Sequence, residues 1–201
     1  MAESVMYHEG NRQLQDQFDS RRISDRLEEK LMRKEFSADD KQFIESLPYF
    51  FLATADAEGR PDCSFKGGPP GFVRITGPSE IAFPDYDGNG MFKSLGNIVV
   101  NADVGLLFIA MHDKPKRLRV NGSASVSAND PLLAETVGAQ LIVRVTARAI
   151  FPNCPRYIPT MSAIEPSIYV PLSGKDAPEP AWKGFADFKD CIHPRQPTFK
   201  G

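Results

Sequence analysis

Apolar side chains recur every four positions at the start of the chain. Leu14 and Phe18 are four apart, and Ile23, Leu27 and Leu31 repeat that spacing, with charged or polar residues between them. On a helix this draws one narrow apolar stripe. Residues 1–36 therefore read as a charged helical lead-in whose stripe must lie on its own domain or on a partner subunit. Ser37 opens a shorter helix. Asp40, three residues on, completes the acidic form of a capping box, and Asp39 and Asp40 suit the positive helix start. Phe43, Ile44 and Leu47 supply its buried side. Pro48 ends it, because the residue before a proline is pushed out of helical geometry.

From Tyr49 the texture changes to short strands and turns. Residues 49–55 (YFFLATA) and 62–66 (DCSFK) flank the turn DAEGRP. GGPPG at 67–71 excludes any regular element. Residues 72–76 (FVRIT) and 80–83 (EIAF) predict a hairpin around Gly77-Pro78-Ser79. A polar glycine turn, DYDGNG at 85–90, precedes a short helix over 91–100, which Gly96 weakens by about 1 kcal/mol relative to alanine. An apolar strand follows at 104–111, then an alternating strand at 117–126 whose Gly122 predicts a bulge. Asp130-Pro131 opens another short helix to about Val137, and 140–150 (QLIVRVTARAI) is the last clear strand. The remainder is rich in proline, and 170–201 reads as an extended tail held by anchors such as Tyr169 and Trp182, or as partly disordered. About six or seven close-spaced strands with few helices predict a mainly β protein, an antiparallel β-barrel with peripheral helices.

Composition narrows the function classes. At 201 residues the chain holds one domain with embellishments, on a prior of about 150 residues per domain. We divide it into the lead-in at 1–36, the barrel domain at 37–160 and the proline-rich extension at 161–201. A formal net charge of -2 lacks the basic excess of a general nucleic-acid or membrane-surface binder. No apolar run reaches the roughly 18 residues of a membrane span, and no secretory signal opens the chain, so cytoplasmic residence is the expectation. The three cysteines, Cys63, Cys154 and Cys191, show no CxxC spacing, which suits a reducing compartment. His8, His112 and His193 are far apart, so no metal motif is present and all three read as surface histidines.

The candidate chemistry lies between Asp62 and Gly122. Lys66 ends a strand, Lys93 and Ser94 start a helix 27 residues later, and Lys116, Arg117 and Arg119 open another strand. Taken singly, each is a solvated surface charge. Brought to one place by an antiparallel barrel, the cations, the hydroxyl and the backbone N–H groups are what a phosphate needs.

The segments FFLATADAEGRPDCSFKGG, IAFPDYDGNGMFKSLGNIVVNADVGLLF and KRLRVNGSASV resemble the pyridoxamine 5′-phosphate oxidase-like family of FMN-binding split barrels. The likeness runs from about Phe43 to Tyr157. Lys66 stands for the basic strand end, Pro84-Asp85 for the aromatic-polar pair, and Phe92-Lys93-Ser94 for the phosphate segment. Asn101-Ala102 replaces Asn-Pro, and Arg117–Gly122 closes the pattern. The resemblance implies a homodimer with FMN in two clefts between subunits. It implies that Lys93, Ser94 and Arg117 meet the phosphate, with Arg119 beside them. Ser64, Phe65, Lys66 and Gly67 line the isoalloxazine ring with their backbone, and Asp85, Asn89 and Asn97 add polar contacts. Lys66 near the N1/C2 carbonyl side favours a reduced, anionic flavin.

The chain also departs from the oxidase proper, which holds pyridoxamine phosphate with an Arg-x-His-like pair near its C-terminus. Asn153-Cys154-Pro155-Arg156-Tyr157 contains no such pair, which argues against vitamin B6 oxidation. The candidates for substrate chemistry are Cys154, near the ring or simply a buried thiol in a proline turn, and Arg156, which could reach an anionic substrate or the neighbouring flavin. Four readings stay open: an FMN-dependent oxidoreductase acting on a small-molecule substrate, a flavin store or sensor without turnover, a deazaflavin protein, and a basic cleft used only for dimerisation.

Overall fold

The computed structural model describes residues 4–112, 114–159, 161, 167–170, 172–174, 178–179 and 181–186, without the side chains of 182 and 183. Helices α1 (Glu9–Gln17), α2 (Arg21–Leu31) and α3 (Ala38–Ser46) precede the strands β1 (Tyr49–Ala55), β2 (Pro61–Gly67), β3 (Arg74–Gly77) and β4 (Glu80–Tyr86). Helix α4 (Lys93–Val100) leads into β5 (Asp103–Ala110), β6 (Lys116–Ser127) and β7 (Ala139–Pro152). The strands form one antiparallel seven-stranded sheet in the order β2-β1-β5-β6-β7-β4-β3.

Alternation decides what this sheet encloses. Phe50 and Leu52 of β1, Ile81 and Phe83 of β4, Leu106 and Phe108 of β5, Leu118 and Val120 of β6, and Val143 and Val145 of β7 are all buried in one core. The sheet curls around it into a split barrel. Ile44 and Leu47 join from α3, and Leu95 and Ile98 from α4.

Several elements follow from local chemistry. The Ser37 hydroxyl accepts from the Asp40 N–H at 3.1 Å, and the Asp40 carboxylate accepts from the Ser37 N–H at 2.9 Å, so the capping box forms as the sequence implies. Arg33 pairs with this carboxylate and also bridges to Ile150 on β7. The register of β6 against β7 shifts between Asn121 and Gly122. A Cβ on Gly122 would lie 2.2 Å from the Thr146 carbonyl oxygen, so the bulge needs glycine there.

The differences from the sequence pattern have physical causes. The lead-in is a helical hairpin, broken where Asp19 adopts a left-handed φ of 47°. Polar ties hold it: Glu28 accepts from the Ser4 hydroxyl and from the N–H groups of Val5 and Met6, and Arg12 pairs with Asp25. Its apolar stripe stays uncovered, with Leu14, Phe18, Ile23, Leu27 and Leu31 all exposed, Phe18 to 73%. β3 starts at Arg74 because Phe72 and Val73 are drawn inside, where Phe72 stacks on Phe50. The turn after Asp130 is a 3₁₀ helix, Pro131–Glu135, started by the Asp130 carboxylate on the Leu132 N–H. Tyr169, expected as a tail anchor, is exposed, and Trp182 lies outside the described side chains.

Candidate functional site

The order of the strands leaves two edges open. Among the described residues β2 pairs only with β1, and β3 pairs with β4 only from Glu80 to Ala82. The rest of β4 bonds to β7 alone. These free edges face each other across a cleft of about 890 Å³, a size suited to a small-molecule cofactor. Residues 62–67 of β2 form one wall and 84–86 of β4 the other. The loop 87–92, the first turn of α4 and Gln140 complete it.

Alternation along β2 turns Ser64 and Lys66 inward and Phe65 outward. The Phe65 ring stacks on Tyr49 at 5.6 Å and meets Phe51 edge-on at 6.0 Å, so Phe65 reaches the cleft through its backbone. A Cβ on Gly67 would lie 2.8 Å from that ring, so a side chain there would push the exposed Phe65 ring aside. At the far side of the cleft the Asn89 side-chain Oδ1 accepts from the Met91 N–H at 3.0 Å. Gly90 and Phe92 then adopt left-handed φ values of 75° and 47° to turn the chain into α4. For Phe92 this is strained backbone at the rim of the cleft.

No side chain caps α4, so the N–H groups of its first turn lack that partner. Two buried side chains stitch this helix to the barrel. The Ser94 hydroxyl donates to that of Ser64 at 2.9 Å, and Asn97 donates to the Thr54 hydroxyl at 3.0 Å. Lys66 and Lys93 line the cleft, and neither forms an ion pair or side-chain hydrogen bond among the described residues. Opposite them, burial raises the Asp85 carboxyl above its ordinary range, against a hydrogen bond from Gln140 and the charge of Lys66, while Asp87 pushes it further up. Burial also pushes the neighbouring Tyr86 hydroxyl up to about 12.

Ser64, Phe65, Lys66, Gly67, Asp85, Asn89, Lys93 and Ser94 thus meet at one cleft. Asn97 does not; it is a buried tie. Arg117 and Arg119 lie on β6, in register with Ile109 and Leu107 of β5, away from this cleft. Cys154 is exposed rather than buried and, with exposed Arg156, follows the end of β7. A second polar cluster gathers there. Arg117 Nε, His112 Nδ1 and Asn153 Oδ1 are buried atoms without a hydrogen-bond partner among the described residues, at the sheet end where β5 leaves, β6 begins and β7 ends. His112 is therefore not a plain surface histidine; exposed His8 caps α1, and His193 and Cys191 lie outside the described residues. Sequence reasoning missed Gln140, whose amide donates to Asp85 at 2.8 Å across 55 residues; only the β4–β7 register brings the two together.

The sequence pattern of pyridoxamine 5′-phosphate oxidase matches residues 36–167, well over half of the chain and all of the barrel. The chain belongs to the pyridoxamine 5′-phosphate oxidase family. Solved structures similar to this family member include HupZ of Group A Streptococcus, at 15% identity and TM-score 0.48, covering 64% of this chain and 98% of that one. HutZ, the heme storage protein of Vibrio cholerae, is 17% identical at TM-score 0.43, covering 59% and 95%. An FMN-binding protein of Syntrophomonas wolfei is 12% identical at TM-score 0.44, covering 71% and 96%. No curated protein matches this family member. Among its described residues no helix is long and apolar enough to cross a membrane.

Proposed function

We propose that this family member binds FMN in the cleft and works as an FMN-dependent oxidoreductase on a small organic substrate or nicotinamide donor. The observation that carries the reading is the pair of unpaired lysines, Lys66 and Lys93, in a cleft whose other end is an uncapped helix start. Lys93 and the first-turn N–H groups of α4, that of Ser94 among them, offer the donors that a phosphate takes at a helix N-terminus. The free edge of β2 offers its backbone to the ring, and Lys66 offers a cation to a ring carbonyl. Bound FMN supplies hydride and electron transfer; the chain orients it and sets its electrostatics.

The same reading makes the protein a homodimer, in which a second copy brings Arg117, Arg119 and Arg156 to the cleft. Two observations support it. Buried polar atoms without partners are costly, on the order of 1–3 kcal/mol each, and Arg117, His112 and Asn153 present three at one sheet end. The exposed stripe of the α1–α2 hairpin is apolar surface that a second chain would cover.

The test is anaerobic mixing of the FMN-loaded protein with NADH or NADPH, followed at the flavin absorbance. Bleaching within seconds, reversed by oxygen or a substrate, supports an oxidoreductase. Loaded protein that stays oxidised with either donor, while dithionite reduces its flavin, would make it a flavin-holding protein without turnover.

A further inference from the structure

Lys66 and Asp85 face one cleft from opposite strands without forming an ion pair. The Asp85 carboxylate is fixed by Gln140, whose Nε2 donates to Oδ2 at 2.8 Å and to the Tyr86 carbonyl at 3.3 Å. Among the described residues no hydrogen bond engages its second oxygen, and none engages the Lys66 ammonium. A donor and an acceptor thus stand apart across a gap, each with unused capacity. A ligand edge of matching polarity would satisfy both.

We propose that Lys66 and Asp85 act together as a specificity pair for a planar heterocycle whose edge carries a carbonyl beside a ring N–H. Lys66 donates to the carbonyl and the Asp85 carboxylate accepts from the N–H. The inference rests on the flavin reading and deepens it, because the pyrimidine-dione edge of FMN has this pattern. A phosphate at the same place would meet the Asp85 charge. A porphyrin face or vinyl edge would leave both groups unsatisfied in a half-buried site, which a binding site built around hydrogen bonds rejects strongly. Asp62 and Asp87 also line the cleft, and Asp62 serves as the control acid in the test.

The experiment compares FMN with its N3-methyl derivative, which keeps the ring and phosphate and removes the N–H. Dissociation constants are read from flavin fluorescence for the wild-type protein and for Asp85→Ala, with Asp85→Ser as a second shortened variant should the alanine protein fail to fold. The wild type is expected to favour FMN at least tenfold, since a hydrogen bond to a charged group is lost on methylation. The shortened variants should bind both flavins about equally, and Asp62→Ala should keep the discrimination. Equal binding by the wild type, or full discrimination in both Asp85 variants, overturns the pair. Failure of the wild type to bind either flavin overturns the flavin reading itself, a result distinct from equal binding.

Discussion

The rings of Phe50 and Phe83 meet edge to face with centroids 4.9 Å apart, although three strands separate β1 from β4 in the sheet. This contact crosses the barrel interior and holds the two halves at the spacing that leaves the cleft between β2 and β4. Phe108 packs on Phe50 from β5, so three aromatic rings fill the centre. Phe83→Ala should cost about 3–5 kcal/mol. Urea unfolding would show it as a lower midpoint with an unchanged slope.

Gly122 and Gly105 give a contrast within one sheet. The closest atom to a Cβ on Gly122 is a backbone oxygen at 2.2 Å, which cannot swing away. On Gly105 it is the Asn121 side-chain amide at 3.3 Å, which can. Gly122→Ala should therefore destabilise by about 1–3 kcal/mol or more, and Gly105→Ala by clearly less. Thermal melting of the two variants side by side checks the order.

Acid stability should depend on Asp40. Burial works to raise this carboxyl, but the Arg33 guanidinium and the Ser37 N–H and hydroxyl outweigh it and hold it below the ordinary range. A group depressed in the folded state stabilises above its unfolded pKa, and that contribution is lost as pH falls through the folded value. The loss should appear below about pH 4. Asp130, held down by Arg144, adds to the same window. Asp40→Asn should lower the melting temperature at pH 7 and flatten its fall toward pH 3.

The phosphate site is open to a direct comparison of ligands. Lys93→Ala with Arg117→Ala should weaken FMN binding at least tenfold while riboflavin binding changes little. The single variants divide the roles, since Lys93 lines the cleft of its own chain and Arg117 does not. Arg117→Ala should weaken FMN only in the dimer, so its effect should vanish where sedimentation shows monomers. Equal losses of FMN and riboflavin would move both residues away from the phosphate.

Much of the barrel is legible in the sequence because its signals are local. Alternation marks β6, the Ser37–Asp40 spacing marks the start of α3, and Gly122 within that alternating strand marks the bulge. The chain break at Asp19 has no such mark, since an aspartate at left-handed φ looks like any other charged residue on a helix surface. Phe72 reads as strand because its value to the core comes from Phe50, which is distant in sequence. For the site, the resemblance brought forward Ser64, Lys66, Asp85, Lys93 and Ser94, and the fold places them together. Gln140 was invisible, because its partnership with Asp85 exists only through strand register. Arg117 and Lys93 are related by a motif but divided by the fold of one chain, which no spacing rule could reveal.

The most direct test of the account is a visible absorption spectrum of the purified protein, with chromatography of whatever denaturation releases. The account predicts flavin bands and released FMN near one per chain, or their appearance once FMN is added to colourless protein. Protein that is colourless and takes up no added FMN, or one that shows a heme Soret band in place of flavin bands, would contradict it.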